Sequence, residues 1–411
     1  MSDAVRDQYE AYPYPARDPR EERKRLVTGS PSNLAELNHY LFAGTRDFAA
    51  PFRALVAGGG TGDGTIMLAQ QLANAGRGGE VVYLDISEAA RKTAEARAQA
   101  RGLANIAFHT GSLLDLPQMD LGRFDYIDCC GVLHHLAKPA AGFRALTEVL
   151  APGGGMGLMV YAPYGRAGVY QMQEMLRLMG EGLPLAERIP LARRLLDALP
   201  ASNWLKRNPV VGDHKRSDAE LVDLFLHPQD RAFTVSELLD VVEGEGFAVT
   251  GFIEPARYRP ETYLSDPALL RIAAALPQAA RWQLAEDLAC NIKKHIVYVT
   301  HRDRASQAVA STDDAGSVPV TRGAEAEKLA QAIARDRAIQ TDFGALPVRF
   351  PLPRLAPAII GRIDGLRSIG AIADDLATAG GHDPQKTLEQ ARETLDALIS
   401  VNLVALRKPS D

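Results

Sequence analysis

Residues 55–64, reading L-V-A-G-G-G-T-G-D-G, constrain this chain more than any other stretch. A short apolar run precedes them, and a helical pattern of Ile66, Met67, Leu68 and Leu72 follows. A strand that ends in glycines and restarts as a helix leaves backbone N–H groups bare at the turn, with no Cβ to hold a ligand away. The glycine spacing separates the ligands such a turn can serve. A GxGxxG dinucleotide fingerprint begun at Gly58 meets Asp63 at its last glycine, and one begun at Gly60 meets Thr65. Neither register fits. The pattern present is GxGxG, made by Gly58, Gly60 and Gly62 and followed by Asp63.

From Phe52 to Val160 strand-like and helix-like segments alternate, which predicts a parallel sheet with helices on both faces. Strands are expected at residues 53–57, 81–84, 106–109, 124–129 and 157–161. Residues 88–101, rich in Ala, Arg and Glu, read as a long helix. A second helix over 140–150 is stopped by Pro152-Gly153-Gly154-Gly155. The second strand ends in Asp85-Ile86-Ser87, the third leads to Gly111-Ser112-Leu113, and the fourth runs through Cys129-Cys130-Gly131 to Leu133-His134-His135.

This ordered set resembles the class I S-adenosylmethionine (SAM) dependent methyltransferases. The motifs that carry the resemblance are the glycine turn, Asp85 after strand two, Asp115-Leu116-Pro117 after strand three, Phe124-Asp125 with Leu133-His134-His135 around strand four, and Leu150-Ala151-Pro152-Gly153-Gly154 before strand five. The resemblance implies a seven-stranded α/β sheet, with strands six and seven supplied late, at 248–253 and 295–300. It also implies SAM as cofactor. Gly58, Gly60 and Gly62 would admit the methionyl part, and Asp85, with Ile86 beside it, would accept from the ribose hydroxyls, because a carboxylate offers two acceptor oxygens. Adenine would meet Ser112 or Leu113, and Cys130 and Gly131 would give backbone around the sulfonium. Relatives often carry an acid two residues before the first glycine, where this chain has Val56. Asp63 stands ready as a partial substitute. His135 is the candidate general base, since histidine titrates near neutrality.

Outside residues 51–161, the expected SAM-binding core, the chain divides further. Residues 1–50 form an N-terminal arm or lid with Tyr9-Glu10-Ala11-Tyr12-Pro13-Tyr14-Pro15, in which two prolines fix φ on a locally extended backbone. A helix from Ser32 to Phe42 has Ser32 or Asn33 as its cap. Tyr9, Tyr12, Tyr14 and Tyr161 are candidate aromatic walls for an ammonium. Residues 162–246 read as a helical insertion with a basic character, its last helix capped by Ser236. Residues 247–303 complete the core, and 304–323, without apolar periodicity, read as a linker. Residues 324–411 read as a small α+β domain similar to a winged helix.

Composition limits the partners. The chain has 411 residues, 46% hydrophobic and 24% charged, with a net charge of −5, so nucleic acid is not an expected ligand. From Arg322 to Asp411, twelve basic residues balance twelve acidic ones, which favours protein docking or homodimerisation over DNA binding for the C-terminal domain. No apolar run reaches the roughly 20 residues that span a bilayer, and three cysteines make neither a disulfide framework nor a metal cluster. A cytoplasmic enzyme with reduced thiols and no metal is expected. The tyrosine-rich arm, the segment Ser30-Pro31-Ser32-Asn33-Leu34-Ala35-Glu36-Leu37-Asn38-His39-Tyr40 and the glycine turn together resemble rickettsial-type protein lysine methyltransferases, which implies a lysine amine as acceptor. A small-molecule O- or N-methyltransferase and a non-catalytic SAM-binding scaffold are the competing readings.

Overall fold

A computed structural model describes residues 3–76 and 78–409; Met1, Ser2, Arg77, Ser410 and Asp411, which the expected arm, core and C-terminal domain include, lie outside the described residues. The alternation read from the sequence appears as strands β1 (Phe52–Ala57), β2 (Gly79–Asp85), β3 (Ile106–Thr110), β4 (Phe124–Cys130) and β5 (Leu150–Tyr161), with β6 (Phe247–Phe252) and β7 (Lys294–His301) following the insertion. They form a seven-stranded sheet in the order β3-β2-β1-β4-β5-β7-β6, the class I methyltransferase arrangement. The pairs β1/β2, β1/β4, β2/β3 and β4/β5 are parallel. In β1 all residues but Arg53 are buried, as expected for a parallel strand covered on both faces. Strand order turns back between β1 and β4, and a crevice opens at the carboxyl ends of such neighbours. β5 starts earlier than expected: Pro152 to Gly155 continue the strand, with a register shift against β4 between Phe124 and Tyr126.

The chain forms two compact units, one of residues 1–33, 48–247 and 289–296, the other of residues 34–47, 248–288 and 297–411. In the first, the insertion builds its own core from Val169, Met172, Leu176, Ile189, Leu221 and Phe225. Within the insertion, an α turn, Asp218–Leu221, runs directly into a π turn, Val222–Leu226. The helix Val235–Gly244 is capped by Thr234 rather than Ser236, with Glu237 closing a reciprocal capping box.

In the second unit, the helices Ala356–Ile360, Ile369–Gly380 and Pro384–Ser400 enclose a core of Ile359, Ile360, Ile372, Leu395 and Leu398. The stretch read as a linker contains strand β8 (Val318–Thr321), which pairs with the C-terminal strand β11 (Val404–Arg407); between them lies a hairpin of β9 (Ala338–Asp342) and β10 (Pro347–Pro351). Glu36, fully buried on the helix Leu34–Leu41, accepts from the Tyr298 hydroxyl at 2.6 Å and from Asn402 at 3.0 Å, and pairs with Arg322.

The N-terminal arm is not extended where its tyrosines begin. Residues Asp3–Ala11 are helical, and the extended course starts only beyond them, at the prolines. Polar contacts fasten this arm to the glycine turn. Glu10 accepts from the bare N–H groups of Glu88 and Ala89 at the start of the helix Glu88–Arg101, and the Ser87 hydroxyl donates to the Tyr9 carbonyl at 3.1 Å. Deeper, Arg97, only 1% exposed, donates to Glu22 of the arm at 2.8 Å, to the Thr61 carbonyl at 2.8 Å and to Asp63 at 2.8 Å. Removing one partner of a buried ion pair leaves the other uncompensated, at a cost of about 3–5 kcal/mol. Arg97→Met is therefore expected to lower the stability of the first unit by about 3 kcal/mol in urea unfolding followed by circular dichroism; a change no larger than that of a surface ion pair would refute the role given to this network.

Candidate active site

A cavity of about 520 Å³, within the range of small-molecule sites, opens at the carboxyl ends of β1, β2 and β4. Of the residues singled out from the sequence, Gly58, Gly60, Asp63, Asp85, Ile86, Leu113, Cys130, Gly131, His135, Tyr9, Tyr14 and Tyr161 line it. Gly62, Ser112 and Tyr12 do not. Gly62 is a packing glycine at the N-terminus of the helix Asp63–Ala75: φ is 105°, and a Cβ there would meet that of Ala94 at 2.9 Å. The Ser112 hydroxyl caps the turn that follows, accepting from Leu114 N–H at 3.1 Å, and Tyr12 packs on the insertion core. Gly60 also serves the protein itself, because a Cβ would strike the Tyr14 carbonyl at 2.7 Å.

Acids, cations and hydroxyl groups share the cavity wall: Asp63, Asp85, Asp128 and Asp223 line it together with Arg166, Lys293 and Lys294. Asp85 takes the Gly60 N–H on one oxygen at 2.8 Å and the Ser87 N–H on the other at 2.9 Å. Burial raises its carboxyl and these backbone donors oppose the rise. Each oxygen keeps lone pairs for a further donor. Asp63, which was a candidate for an ammonium, already receives Arg17 at 2.6 and 2.9 Å and Arg97 at 2.8 Å. Although burial opposes it, these guanidinium groups hold its carboxyl below the ordinary range.

On the insertion side, the π turn presents Asp223, whose two oxygens accept from the Tyr9 and Tyr161 hydroxyls at 3.1 and 3.0 Å. Burial pushes the Asp223 carboxyl up, and it pushes both tyrosines up further beside that acid. His135 stacks on His227 at 3.7 Å between ring centres, and its Nδ1 lies 2.9 Å from the Gln229 carbonyl. That contact puts the proton on Nδ1 and leaves Nε2 basic. Burial holds His134 and His227 neutral. Ring nitrogens of His134 and His135 and an oxygen of Asp230 lie within 4.8 Å of one another; Asp230 Oδ2 receives Arg166 at 2.7 Å and Gln173 at 3.0 Å, while its Oδ1 has no hydrogen-bond partner among the described residues. The Arg166 guanidinium covers one face of Tyr161 at 3.7 Å, so that ring is not free on both sides to wall an ammonium. Among the described residues no disulfide joins Cys129, Cys130 or Cys290.

Sequence reasoning missed Asp128 and Asp223. Both are single acids inside apolar runs, Tyr126-Ile127-Asp128-Cys129 and Leu221-Val222-Asp223-Leu224, and a buried charge in such a setting is costly unless it has a task. It also misread Ser32. Its hydroxyl does not cap the following helix but donates to Asp128 at 2.5 Å.

Residues 55–156 match the family model described as a methyltransferase domain. The chain belongs to the class I SAM-dependent methyltransferases, and its cofactor is SAM. An uncharacterized protein of Synechococcus sp. (strain ATCC 27144 / PCC 6301 / SAUG 1402/1) is 33% identical over 293 residues, which cover 69% of this chain and 67% of that protein. The ubiquinone biosynthesis O-methyltransferase of Acinetobacter baylyi is 30% identical over 93 residues, 23% of this chain and 38% of that enzyme. The solved structure of PKMT2 from Rickettsia typhi superimposes with a TM-score of 0.64 at 15% identity, covering 93% of this chain and 76% of that one, and its complex with AdoHcy gives 0.62. As an enzyme the chain is more than the non-catalytic scaffold that Val56 suggested.

The residues at the cavity fit SAM. Leu84, Ile86, Ala90, Leu113 and Val132 give apolar walls for an adenine ring, Asp85 offers acceptors for a diol, and buried acids await a cation. The acid on β4 has a consequence for stability. Burial pushes the Asp128 carboxyl up to about 7, with the Ser32 hydroxyl opposing, whereas the unfolded value is about 3.9. The folded state therefore binds the proton more tightly. The associated stability is complete below about pH 4 and is lost as pH rises through about 7. Asp128→Asn is expected to unfold at a higher temperature than the parent at pH 8 and at the same temperature at pH 4; an equal shift at both would show that the charge is not the cause.

Proposed function

We propose that this enzyme methylates the side-chain amine of lysine in a protein. The observation that carries the reading is Asp223, a buried acid held by two tyrosine hydroxyls on the cavity wall. Support also comes from the sequence resemblance to rickettsial-type protein lysine methyltransferases and from the fold likeness to PKMT2 over 93% of the chain. The ubiquinone biosynthesis O-methyltransferase overlaps only 93 residues, 23% of this chain, and so does not decide the acceptor. Three cysteines without a disulfide among the described residues suit a reducing, cytoplasmic setting.

When bound, SAM supplies an electrophilic methyl group whose displacement leaves a neutral thioether. Asp85 holds the ribose hydroxyls, and Ile86 and Leu113 enclose the adenine. Cys130 and Gly131 line the cavity on the β4 side. Asp223 attracts the incoming ammonium, and Tyr9 and Tyr14 offer ring faces to the same cation. The amine must shed a proton before its lone pair can form the new N–C bond. Asp223, raised by burial and adjacent to His135, takes that proton, with His135 Nε2 the next acceptor. The arm and the insertion exclude water, which strengthens every charge interaction inside.

Asp85→Ala should weaken binding of S-adenosylhomocysteine by about 1–3 kcal/mol in calorimetry, the scale of a lost acceptor; unchanged binding would mean the ribose lies elsewhere. Asp223→Asn should reduce kcat/KM by about 10²–10⁴-fold, the usual worth of a general base, while cofactor affinity stays as in the parent. Incubation with labelled SAM and candidate polypeptides, followed by mass spectrometry, should locate the label on lysine. Label recovered only on small metabolites would replace this reading with the small-molecule one.

A further inference from the structure

We infer that Asp128 is the residue that binds the α-amino group of the methionyl moiety, from the strand next to the one where relatives carry that acid. The inference rests on SAM being the cofactor and is independent of what the acceptor is.

The ladder between β1 and β4 makes Val56 and Asp128 direct partners. Partners in adjacent strands project from the same face of the sheet, with backbones roughly 4.8 Å apart. An acid lost at Val56 can therefore be regained at Asp128 with a lateral shift of one strand spacing. The side chain is placed for it. Asp128 is only 1% exposed, yet it lines the cavity beside Val56, Gly64 and Met67. Gly64, in the first turn of the helix Asp63–Ala75, leaves room for it. A Cβ there would come within 2.8 Å of the Ser32 hydroxyl and 3.3 Å of Asp128 Oδ2.

The carboxylate is also unbalanced. Among the described residues, its one hydrogen-bond partner is the Ser32 hydroxyl on Oδ2, and no lysine or arginine pairs with it. Asp63, in contrast, is met by two arginines, and Asp223 by two tyrosine hydroxyls. A buried carboxylate without a cation is expensive to maintain. A group that enters this cavity as an ammonium removes the expense. Ser32, reaching in from the arm, fixes the carboxylate by one oxygen and leaves Oδ1 for the ligand. The arm thus contributes to the methionyl end through a residue that touches Asp128.

The test compares two ligands that differ in the group concerned. S-adenosylhomocysteine carries the amino acid, whereas 5′-methylthioadenosine has the same adenosine and sulfur without it. In calorimetry, Asp128→Asn, close in shape and able to keep the Ser32 contact, should bind S-adenosylhomocysteine roughly 10- to 100-fold more weakly than the parent and 5′-methylthioadenosine equally well. Asp128→Ser, a second variant in case the first disturbs the fold, should show the same split. Unchanged affinity for S-adenosylhomocysteine, or an equal loss for both ligands, would overturn the assignment. Asp85→Ala, assayed alongside, should weaken both ligands, so a misplaced ribose and a misplaced amino group give different patterns.

Discussion

One guanidinium holds the cofactor side of this protein in shape. Arg97 lies on the helix after β2, almost without contact with solvent, and gathers Glu22 from the arm, the Thr61 carbonyl from the glycine turn and Asp63 from the helix that follows. Arginine suits the post because its planar fork spreads several donors over partners in different directions. The arm, the glycine turn and the helix Glu88–Arg101 thus share one charge, and Tyr9 and Tyr14 of the arm lie at the cavity. Asp63 is engaged by two arginines in this network while still lining the cavity.

The cavity is accordingly organised by acids of differing upkeep. Asp63 is neutralised within the protein, Asp85 is supported by backbone N–H groups, and Asp223 is supported by phenols. Asp128 has a lone hydroxyl. This gradient runs from groups that complete the fold to groups that need a guest. It agrees with a site that must recognise a diol at one end and positive charge elsewhere.

Much of the fold was legible, for identifiable reasons. A parallel sheet buried on both faces writes its strands as apolar runs, so β1 to β4 and both late strands could be placed within a residue or two. The glycine turn and Asp85 were legible because backbone geometry there demands particular residue types. Other features depend on partners that a local pattern does not name. The helix Asp3–Ala11 is mostly polar and precedes two prolines, so its one tyrosine, Tyr9, reads as extended. Strand β8 has four residues and exists because Val404–Arg407, at the other end of the domain, pairs with it. Ser32 looked like a cap because its neighbours form a helix, yet its hydroxyl answers to an acid on another strand. Asp223 owes its place to a π turn, which no periodicity announces.

That turn carries a constraint on how the insertion can vary. A π turn is a surplus residue lodged in a helix, a device common at functional sites. Deleting one residue between Val222 and Leu226 would relax the helix to its ordinary pitch, but each residue of an α-helix advances about 100° around the axis. The acid would swing away from both phenols while its apolar neighbours Leu224 and Phe225 lost their places in the insertion core. Length changes can therefore accumulate in the loops of this region, whereas these five positions are fixed in number as firmly as in kind.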